Sequence, residues 1–355
     1  LMQLRLRILW RIMIKKERLY TLDLIRAIAV ILILITHYNA NFIGFNGPVQ
    51  LDKVVLTAFP FNIYIGDLGV GLFLLISGAS MYYVYANQKL NLANFSKKRL
   101  LNILPMFYIA YALAFLYNFW MNKGFSHDGI SLKWGLSTIF GFDSLMQTAG
   151  FPSFMLVGEW FLGMIMMVYL VFPLLKVCFE KQTGLTLLIS SIIFLVVQSV
   201  QYPENKIWTL VQLTIGLIPV FVFGMFLQKY AKALNNIVSI GLSVFVLIVV
   251  TFGKFGDVPS KIMMAIVSVA VFVILTNVAK YLEQKSIKRC VTWLVKYAYP
   301  IFLIHHFVIN QVVKHFDLLM VGKLDSYILF VLCLSIIFPI SVLVYRLERM
   351  ILNVK

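Results

Sequence analysis

The chain has 355 residues, of which 61% are hydrophobic and 13% are charged, and its mean hydropathy is +0.91. An average soluble domain is about half apolar and about a quarter charged. The composition therefore excludes a water-soluble fold, a disordered chain, a coiled coil, collagen and a disulfide scaffold. The formal net charge is +17, and the three cysteines are far apart, so no metal-ligand spacing is present. We predict an all-α, polytopic membrane helical bundle with no metal.

About ten apolar segments of roughly 20 residues, the length that crosses a bilayer, follow one another along the chain. They divide it into a basic N-terminal segment (1–21), a ten-helix membrane domain (22–347) and a short tail (348–355). Residues 1–12 are either an upstream extension before Met13 or an interfacial amphipathic helix. The predicted spans are 22–40, 68–86, 100–120, 155–177, 184–201, 207–228, 236–253, 259–282, 291–313 and 326–347.

The distribution of basic residues predicts the orientation of the bundle. If the N-terminus lies in the cytoplasm, 23 of the 31 Lys and Arg residues fall on the cytoplasmic side. Cytoplasmic loops of membrane proteins carry this excess. We therefore expect both termini in the cytoplasm and a multi-pass protein of the bacterial plasma membrane. Its positive charge is explained by contact with anionic lipids, and no nucleic-acid partner is required.

The first span contains the most informative pair of residues, Arg26 and His37. His37 follows Arg26 by 11 positions, which is three helical turns plus about 20°, so both lie on one face, about 16 Å apart along the axis. Arg26 is then expected at the cytoplasmic edge and His37 deep in the bilayer, where ionisable side chains usually face a cavity or a partner. The alternatives are that Arg26 only reaches the interface and pairs with Asp23, and that His37 is a structural histidine.

Two other groups of polar residues are expected near these two depths. Ser77 lies near the middle of the second span, in the stretch GVGLFLLISG, which is also typical of a small-residue packing face. Lys97, Lys98 and Arg99 begin the third span at the predicted cytoplasmic surface. Ordinary positive-inside charge is the alternative interpretation of this basic group.

The ninth span contains His305, five residues after Pro300. A helix that begins near 291 places this histidine about 20 Å into the span, at a depth like that of His37. The proline frees backbone groups, which a polar cavity can satisfy. Glu159 and Trp160 open the fourth span near the outer face, where tryptophan is common at the membrane interface. Two buried histidines at one level favour a functional site.

These residues and their spacing resemble acyltransferase family 3, whose members are integral-membrane acyltransferases of cell-surface and exopolysaccharide sugars. The resemblance covers essentially the whole chain, and its most specific element is the Arg-x10-His pattern of the first span. Two positions depart from the family pattern, since Asn102 stands where another Arg is frequent and Ile165 where a Glu is frequent. The other matching elements are FLLISG ending at Ser77, Phe95 to Arg99 with Pro105, the series Trp160, Tyr169 and Pro173, and Tyr299 to His305.

The resemblance implies transfer of an acyl group, acetyl by default, from cytoplasmic acyl-CoA to a hydroxyl of an extracytoplasmic or lipid-linked polysaccharide. Arg26 and Arg99, with Lys97 and Lys98, are expected to hold the CoA phosphates, because guanidinium forms paired charge-assisted hydrogen bonds with phosphate. Polysaccharide-synthesis machinery is a possible partner.

The same resemblance gives the histidines catalytic roles. His37 is expected to act as the general base toward the sugar hydroxyl or to carry the acyl group covalently. His305 is expected to orient the acceptor or to polarise the carbonyl. Aromatic residues of the outer loops either stack on sugar rings or form an interfacial belt. The supporting positions are Asp23, Ser77, Glu159 and Trp160.

Two other classes of function are compatible with a ten-span bundle. A glycan or lipid-linked sugar transporter would also need a buried polar track, but transporters often contain repeated halves with broken helices, and no internal repeat is evident here. A membrane sensor or scaffold would not need basic residues aligned with a deep histidine.

Overall fold

A computed structural model of the protein describes residues 19–124, 132–158, 160–200, 202 and 204–352. Within these ranges the regular elements are helices, and an isolated bridge joins Ile43 and Val49. The α-helices are α1 Tyr20–Asn39, α2 Ile65–Tyr85, α3 Leu92–Met121, α4 Gly135–Ile139, α5 Asp143–Thr148, α6 Trp160–Lys181, α7 Thr183–Ser199, α8 Lys206–Leu213, α9 Ile218–Lys229, α10 Ala231–Leu234, α11 Ile237–Phe252, α12 Ser260–Val278, α13 Lys285–Val313 and α14 Lys323–Ile351. Short 3₁₀ helices are Leu51–Lys53, Pro60–Asn62, Leu132–Trp134, Ile215–Leu217 and Ala279–Leu282.

The all-helical membrane architecture agrees with the composition. In the described part of the chain, seven helical segments are long and apolar enough to cross a membrane. The helices α7 and α11 are apolar but shorter, and α13 is less apolar because its central stretch contains two histidines. These three helices occupy three of the ten predicted spans, so the number of ten crossings stays a prediction, as does the location of the termini.

Some predicted boundaries shift in the structure. The sixth predicted span, 207–228, is interrupted at 214–217, where α8 ends and a 3₁₀ turn precedes α9. The last helix continues to Ile351, into the segment predicted as a tail. Most of the predicted N-terminal segment, residues 1–18, lies outside the described residues.

Contacts between helix ends define two opposite ends of the bundle. At the end where α1 begins, the hydroxyl of Tyr20 donates to the carbonyl of Leu282 (2.7 Å), and Lys176 donates to the carbonyl of Gln88 (2.9 Å). We call this the basic end. At the opposite end, which we call the loop end, the hydroxyl of Ser326 donates to the carbonyl of Lys53 (2.7 Å). Helix α1 therefore begins at the basic end, where α2, α6 and α12 end, and α14 begins at the loop end.

The core consists of two large apolar clusters. One joins α2, α9 and α12, and the other joins α3, α13 and α14. Helices α1 and α6 contribute residues to both: on α1, Ile25 and Ala29 belong to the first cluster, whereas Val30 and Leu34 belong to the second. The two clusters thus define two halves that meet along α1 and α6, and the candidate site lies at this junction.

The half formed by α2, α9 and α12 is held together by close backbone approach. A Cβ atom added at Gly78 on α2 would lie 1.9 Å from the carbonyl oxygen of Phe221, and one added at Gly224 on α9 would lie 2.1 Å from that of Leu75. Small residues permit such contact between membrane helices. This half is therefore closely packed and leaves no room for a side chain at these positions.

Candidate active site

Arg26 lies on α1 near the basic end and contacts two polar neighbours. Its Nη1 donates to Oδ1 of Asp23 at 3.0 Å, and its Nη2 donates to the hydroxyl of Ser80 on α2 at 3.1 Å. The pairing with Asp23 that the sequence offered as an alternative is therefore present. It does not remove Arg26 from a site, because 27% of the arginine side chain is exposed. Asp23 and Ser80 instead fix the orientation of the guanidinium group.

Arg99 lies on α3 among aromatic rings. Its Nη2 donates to the hydroxyl of Tyr85 at 2.7 Å, and its guanidinium carbon lies 5.3, 5.5 and 5.4 Å from the ring centres of Tyr85, Phe95 and Tyr169. Such positions give a favourable cation–π interaction. Its Nε is buried and has no hydrogen-bond partner among the described residues. The packing thus orients the guanidinium and leaves a buried donor for a ligand.

Arg26 and Arg99 line one cavity, with a volume of about 280 Å³, at the junction of the two halves. Helices α1, α2, α3, α6 and α13 all contribute to its walls. Ser77 also lines it, whereas Lys97 and Lys98 are not among its described lining residues, and Lys97 is exposed. The other lining residues are Phe73, Asn102, Ile103, Phe161, Leu162, Ile165, Tyr169, Ala298, Tyr299 and Phe302.

The two positions that depart from the family pattern both face this cavity. Asn102 lies on α3 one turn after Arg99, and Ile165 lies on α6. A neutral amide and an alkyl side chain therefore stand where charged side chains are frequent. The fixed positive charge of the cavity in this chain comes from Arg26 and Arg99.

Three histidine rings meet one turn beyond the cavity, toward the loop end. The ring centre of His37 lies 4.7 Å from that of His305 and 5.0 Å from that of His306. His305 is completely buried, and the other two are partly exposed. The structure thus brings together the two histidines predicted from sequence and adds His306, which the prediction had not included although it is the next residue.

The hydrogen bonds of His305 specify its tautomer. Its Nδ1 lies 3.1 Å from the carbonyl oxygen of Ile301 and 2.8 Å from that of Phe302. Because a carbonyl only accepts, we assign the proton of the neutral ring to Nδ1 and the lone pair to Nε2. The amide of Asn310 lies 3.2 Å from Nε2 of His306. Backbone carbonyls therefore orient the ring of His305, and the Asn310 amide orients the ring of His306.

Phe302 stands between the cavity and the histidines. It lines the cavity, and its ring centre lies 6.0 Å from that of His305. None of the three histidines is among the described residues that line the cavity. The basic cavity and the histidine cluster are therefore neighbours, and the side chain of Phe302 lies between them.

The remaining predicted supporting residues are Trp160 and Glu159. Trp160 begins α6, and its ring centre is 6.1 Å from that of Phe161, so it borders the cavity wall through a neighbour. Glu159 lies outside the described residues.

Comparison of the sequence with known protein families identifies the family of this chain. The family model described as an acyltransferase domain matches residues 19–346. The chain belongs to acyltransferase family 3. The match confirms the resemblance seen in the Arg26 and His37 pattern, and together with the apolar helices it identifies a membrane acyltransferase. No curated protein and no solved structure matches the chain.

Proposed function

We propose that the protein transfers an acyl group, acetyl by default, from acyl-CoA bound at the basic end to a hydroxyl of a polysaccharide or lipid-linked glycan that approaches from the loop end. The observation that carries this proposal is the cavity between Arg26 and Arg99, which ends at Phe302, one helical turn from His305. A donor bound by its phosphates at the arginines has its reactive end directed toward the histidines.

The donor side of the proposal depends on the two arginines. Each guanidinium is held in place by neighbours, and Arg99 keeps a buried Nε donor without a protein partner among the described residues. Charge-assisted hydrogen bonds to phosphate are stronger than neutral ones. Lys97 and Lys98 precede Arg99 on α3 and add positive charge for the outer part of the nucleotide. The apolar walls of the cavity suit the pantetheine arm.

The chemical step uses His37 as the base. The acceptor hydroxyl attacks the thioester carbonyl, His37 accepts the hydroxyl proton, and the carbon–sulfur bond breaks to release CoA, which takes up the proton as a thiol. Because Nε2 of neutral His305 carries a lone pair, this ring is suited to accept a hydrogen bond from the acceptor hydroxyl and not to donate one to the carbonyl. His305 therefore orients the acceptor in this proposal.

The acceptor side is supported by aromatic residues at the loop end. The ring centre of Tyr64 lies 5.6 Å from that of Phe45 and 6.1 Å from that of Phe59, and both phenylalanines are more than half exposed. The hydroxyl of Tyr64 is 3.5 Å from the carbonyl of Thr36, the residue before His37. Exposed rings next to the catalytic turn suit the apolar face of a sugar. We place the protein in the plasma membrane, next to anionic lipids and polysaccharide-synthesis machinery.

Purified protein in liposomes, supplied with labelled acetyl-CoA and a soluble glycan acceptor, tests this function. We expect CoA release that requires the acceptor and a label that moves to the glycan as an ester. Movement of glycan across the liposome membrane without CoA release would instead identify a transporter and contradict the proposal.

A further inference from the structure

Three phenylalanines from three helices form a continuous layer at the loop end of the cavity. Phe73 on α2, Phe161 on α6 and Phe302 on α13 all line the cavity and are partly buried. The ring centre of Phe161 lies 5.8 Å from that of Phe73 and 5.8 Å from that of Phe302. We call these three residues the phenylalanine layer.

The layer occupies the same level on each helix. On α2, Ser77 lies one turn from Phe73 toward the basic end; on α13, Tyr299 lies one turn from Phe302 in the same direction. On α6, Tyr169 lies two turns from Phe161 toward the basic end. The cavity is therefore polar near the arginines and aromatic near the histidines. His305 follows Phe302 by one turn on the other side of the layer.

We propose that the phenylalanine layer selects the acyl group by size and charge. This inference depends on the proposed function, because it assigns the leading end of the cavity to the acyl group of acyl-CoA. An acetyl group is small enough to reach the histidines beside these rings. Each further methylene must displace one of these rings, which contact one another, and forcing added volume between packed side chains is unfavourable.

The phenylalanine layer also discriminates between neutral and charged acyl groups. Within the layer the described side chains are hydrocarbon, so a succinyl carboxylate would lose water without gaining a hydrogen bond there. Burying such a charge unpaired is strongly unfavourable. The layer therefore favours short, uncharged acyl groups over longer or anionic ones.

The substitution Phe302→Ala tests the inference, with acetyl-, butyryl-, hexanoyl- and succinyl-CoA as donors. We expect the ratio of kcat/KM for butyryl-CoA to kcat/KM for acetyl-CoA to rise about tenfold or more, since a methylene in a hydrophobic pocket changes discrimination by about that factor. Succinyl-CoA should remain a poor donor, because the enlarged space is still apolar. Phe161→Leu is a milder change for the case in which Phe302→Ala does not fold, and it should shift the ratio in the same direction.

Phe338→Ala is the matched control. Phe338 is also a partly buried phenylalanine on a long helix, with its ring 5.4 Å from Trp293, but it lies outside the cavity. A general loss of packing would lower kcat/KM for all acyl-CoA donors by the same factor. We therefore expect Phe338→Ala to leave the ratio of kcat/KM for butyryl-CoA to kcat/KM for acetyl-CoA unchanged. An unchanged ratio in active Phe302→Ala or Phe161→Leu protein overturns the selection role alone. A wild-type protein that transfers no acyl group from any donor overturns the proposed function itself.

Discussion

The half formed by α2, α9 and α12 and the half formed by α3, α13 and α14 are built in opposite ways. In the first, Gly78 and Gly224 bring helix backbones into contact, and the proline within its three helices as described, Pro219, lies in the first turn of α9, where proline is tolerated. In the second, each helix contains an internal proline: Pro105, Pro300 and Pro339. Proline removes a backbone hydrogen bond and bends a helix, so the second half is less regular.

The difference shows how the bundle combines rigidity with a polar interior. Where the backbones of α2 and α9 touch, at Gly78 and Gly224, no space for a ligand remains between them. Helices bent by proline instead leave room for side chains such as His305 and Arg99. Both arginines and all three histidines of the site belong to α1 or to the proline-containing half. The close-packed half contributes Ser77 and Phe73, which form a wall of the cavity. Substitutions in the two halves should therefore have different consequences.

The largest effect is expected at His37. The substitution His37→Ala removes the proposed base, and general-base catalysis contributes about a hundredfold to ten-thousandfold, so kcat should fall at least about a hundredfold while the protein folds normally. Acceptor-dependent CoA release and the thermal unfolding temperature are the two measurements. His315→Ala, at an exposed position after α13, is the control. A well-folded His37→Ala protein with wild-type kcat would contradict the assignment of the base.

In the close-packed half, substitutions should lower the stability of the fold. An alanine at Gly78 or Gly224 would place Cβ against a backbone carbonyl, and overpacking costs about 1–3 kcal/mol or more. We expect a lower unfolding temperature and less folded protein in detergent. Gly241→Ala on α11 is the matched control, because its Cβ meets nothing within 4 Å. If Gly78→Ala unfolds at the same temperature as Gly241→Ala, the helices do not approach as closely as described.

A smaller effect is expected at Arg26, where the two halves meet. The substitution Arg26→Ala should raise KM for acyl-CoA about tenfold, the effect of a lost charge-assisted hydrogen bond, and should change kcat less. The KM of Arg26→Lys for acyl-CoA should lie between those of the wild type and Arg26→Ala, since an ammonium group keeps the charge without the paired hydrogen-bond geometry. Lys280→Ala, at an exposed position near the basic end, is the control for overall charge. Equal KM values in Arg26→Ala and wild-type protein would exclude Arg26 from donor binding.

The smallest effect is expected outside the membrane helices, at Asp143 on α5. Its carboxylate is buried and accepts hydrogen bonds from the hydroxyls of Ser137 and Thr138 at 2.7 and 2.9 Å. Burial raises the pKa of Asp143 above its ordinary value, although these two hydrogen bonds act in the opposite direction. A raised pKa in the folded state means that the stability this group contributes at low pH is lost as pH rises through that pKa.

Asp143→Asn should therefore raise the unfolding temperature slightly at pH 8, and this gain should shrink as the pH is lowered. Thermal unfolding of the variant and the wild type across the pH range measures it. A gain that grows toward low pH would show that the carboxylate is stabilised in its charged form.

The sequence predicted the elements that depend on hydropathy and on helical periodicity. The presence of the helices and the shared face of Arg26 and His37 follow from local spacing, whereas some limits do not, since α3 begins at Leu92 and not near 100, and α13 begins at Lys285 and not near 291. Site residues also weaken the hydropathy signal, since the histidine-bearing α13 is the long helix that is not apolar enough to qualify as a span by composition. The cavity could not be predicted in the same way, because it depends on which faces of five helices meet.

Two features of the site illustrate this limit. In the sequence, Phe73, Phe161 and Phe302 look like any of the 30 phenylalanines of an apolar chain, and only packing brings them into one layer. The aromatic support of Arg99 comes from Tyr85 and Tyr169 on other helices. His306, in contrast, was available to sequence reasoning, because it adjoins His305 and two consecutive histidines on a membrane helix are unusual.

The most direct test of the central claim is protection of the cavity by the acyl donor. Ser77→Cys places a thiol in the cavity wall, in a background where Cys178 and Cys290 are replaced by Ser and Cys333 by Ala. We predict that a small maleimide labels this cysteine, that acetyl-CoA slows the labelling in a concentration-dependent way, and that protection is lost when Arg26 and Arg99 are both changed to Ala. Labelling of the accessible thiol at the same rate with and without saturating acetyl-CoA would contradict the account.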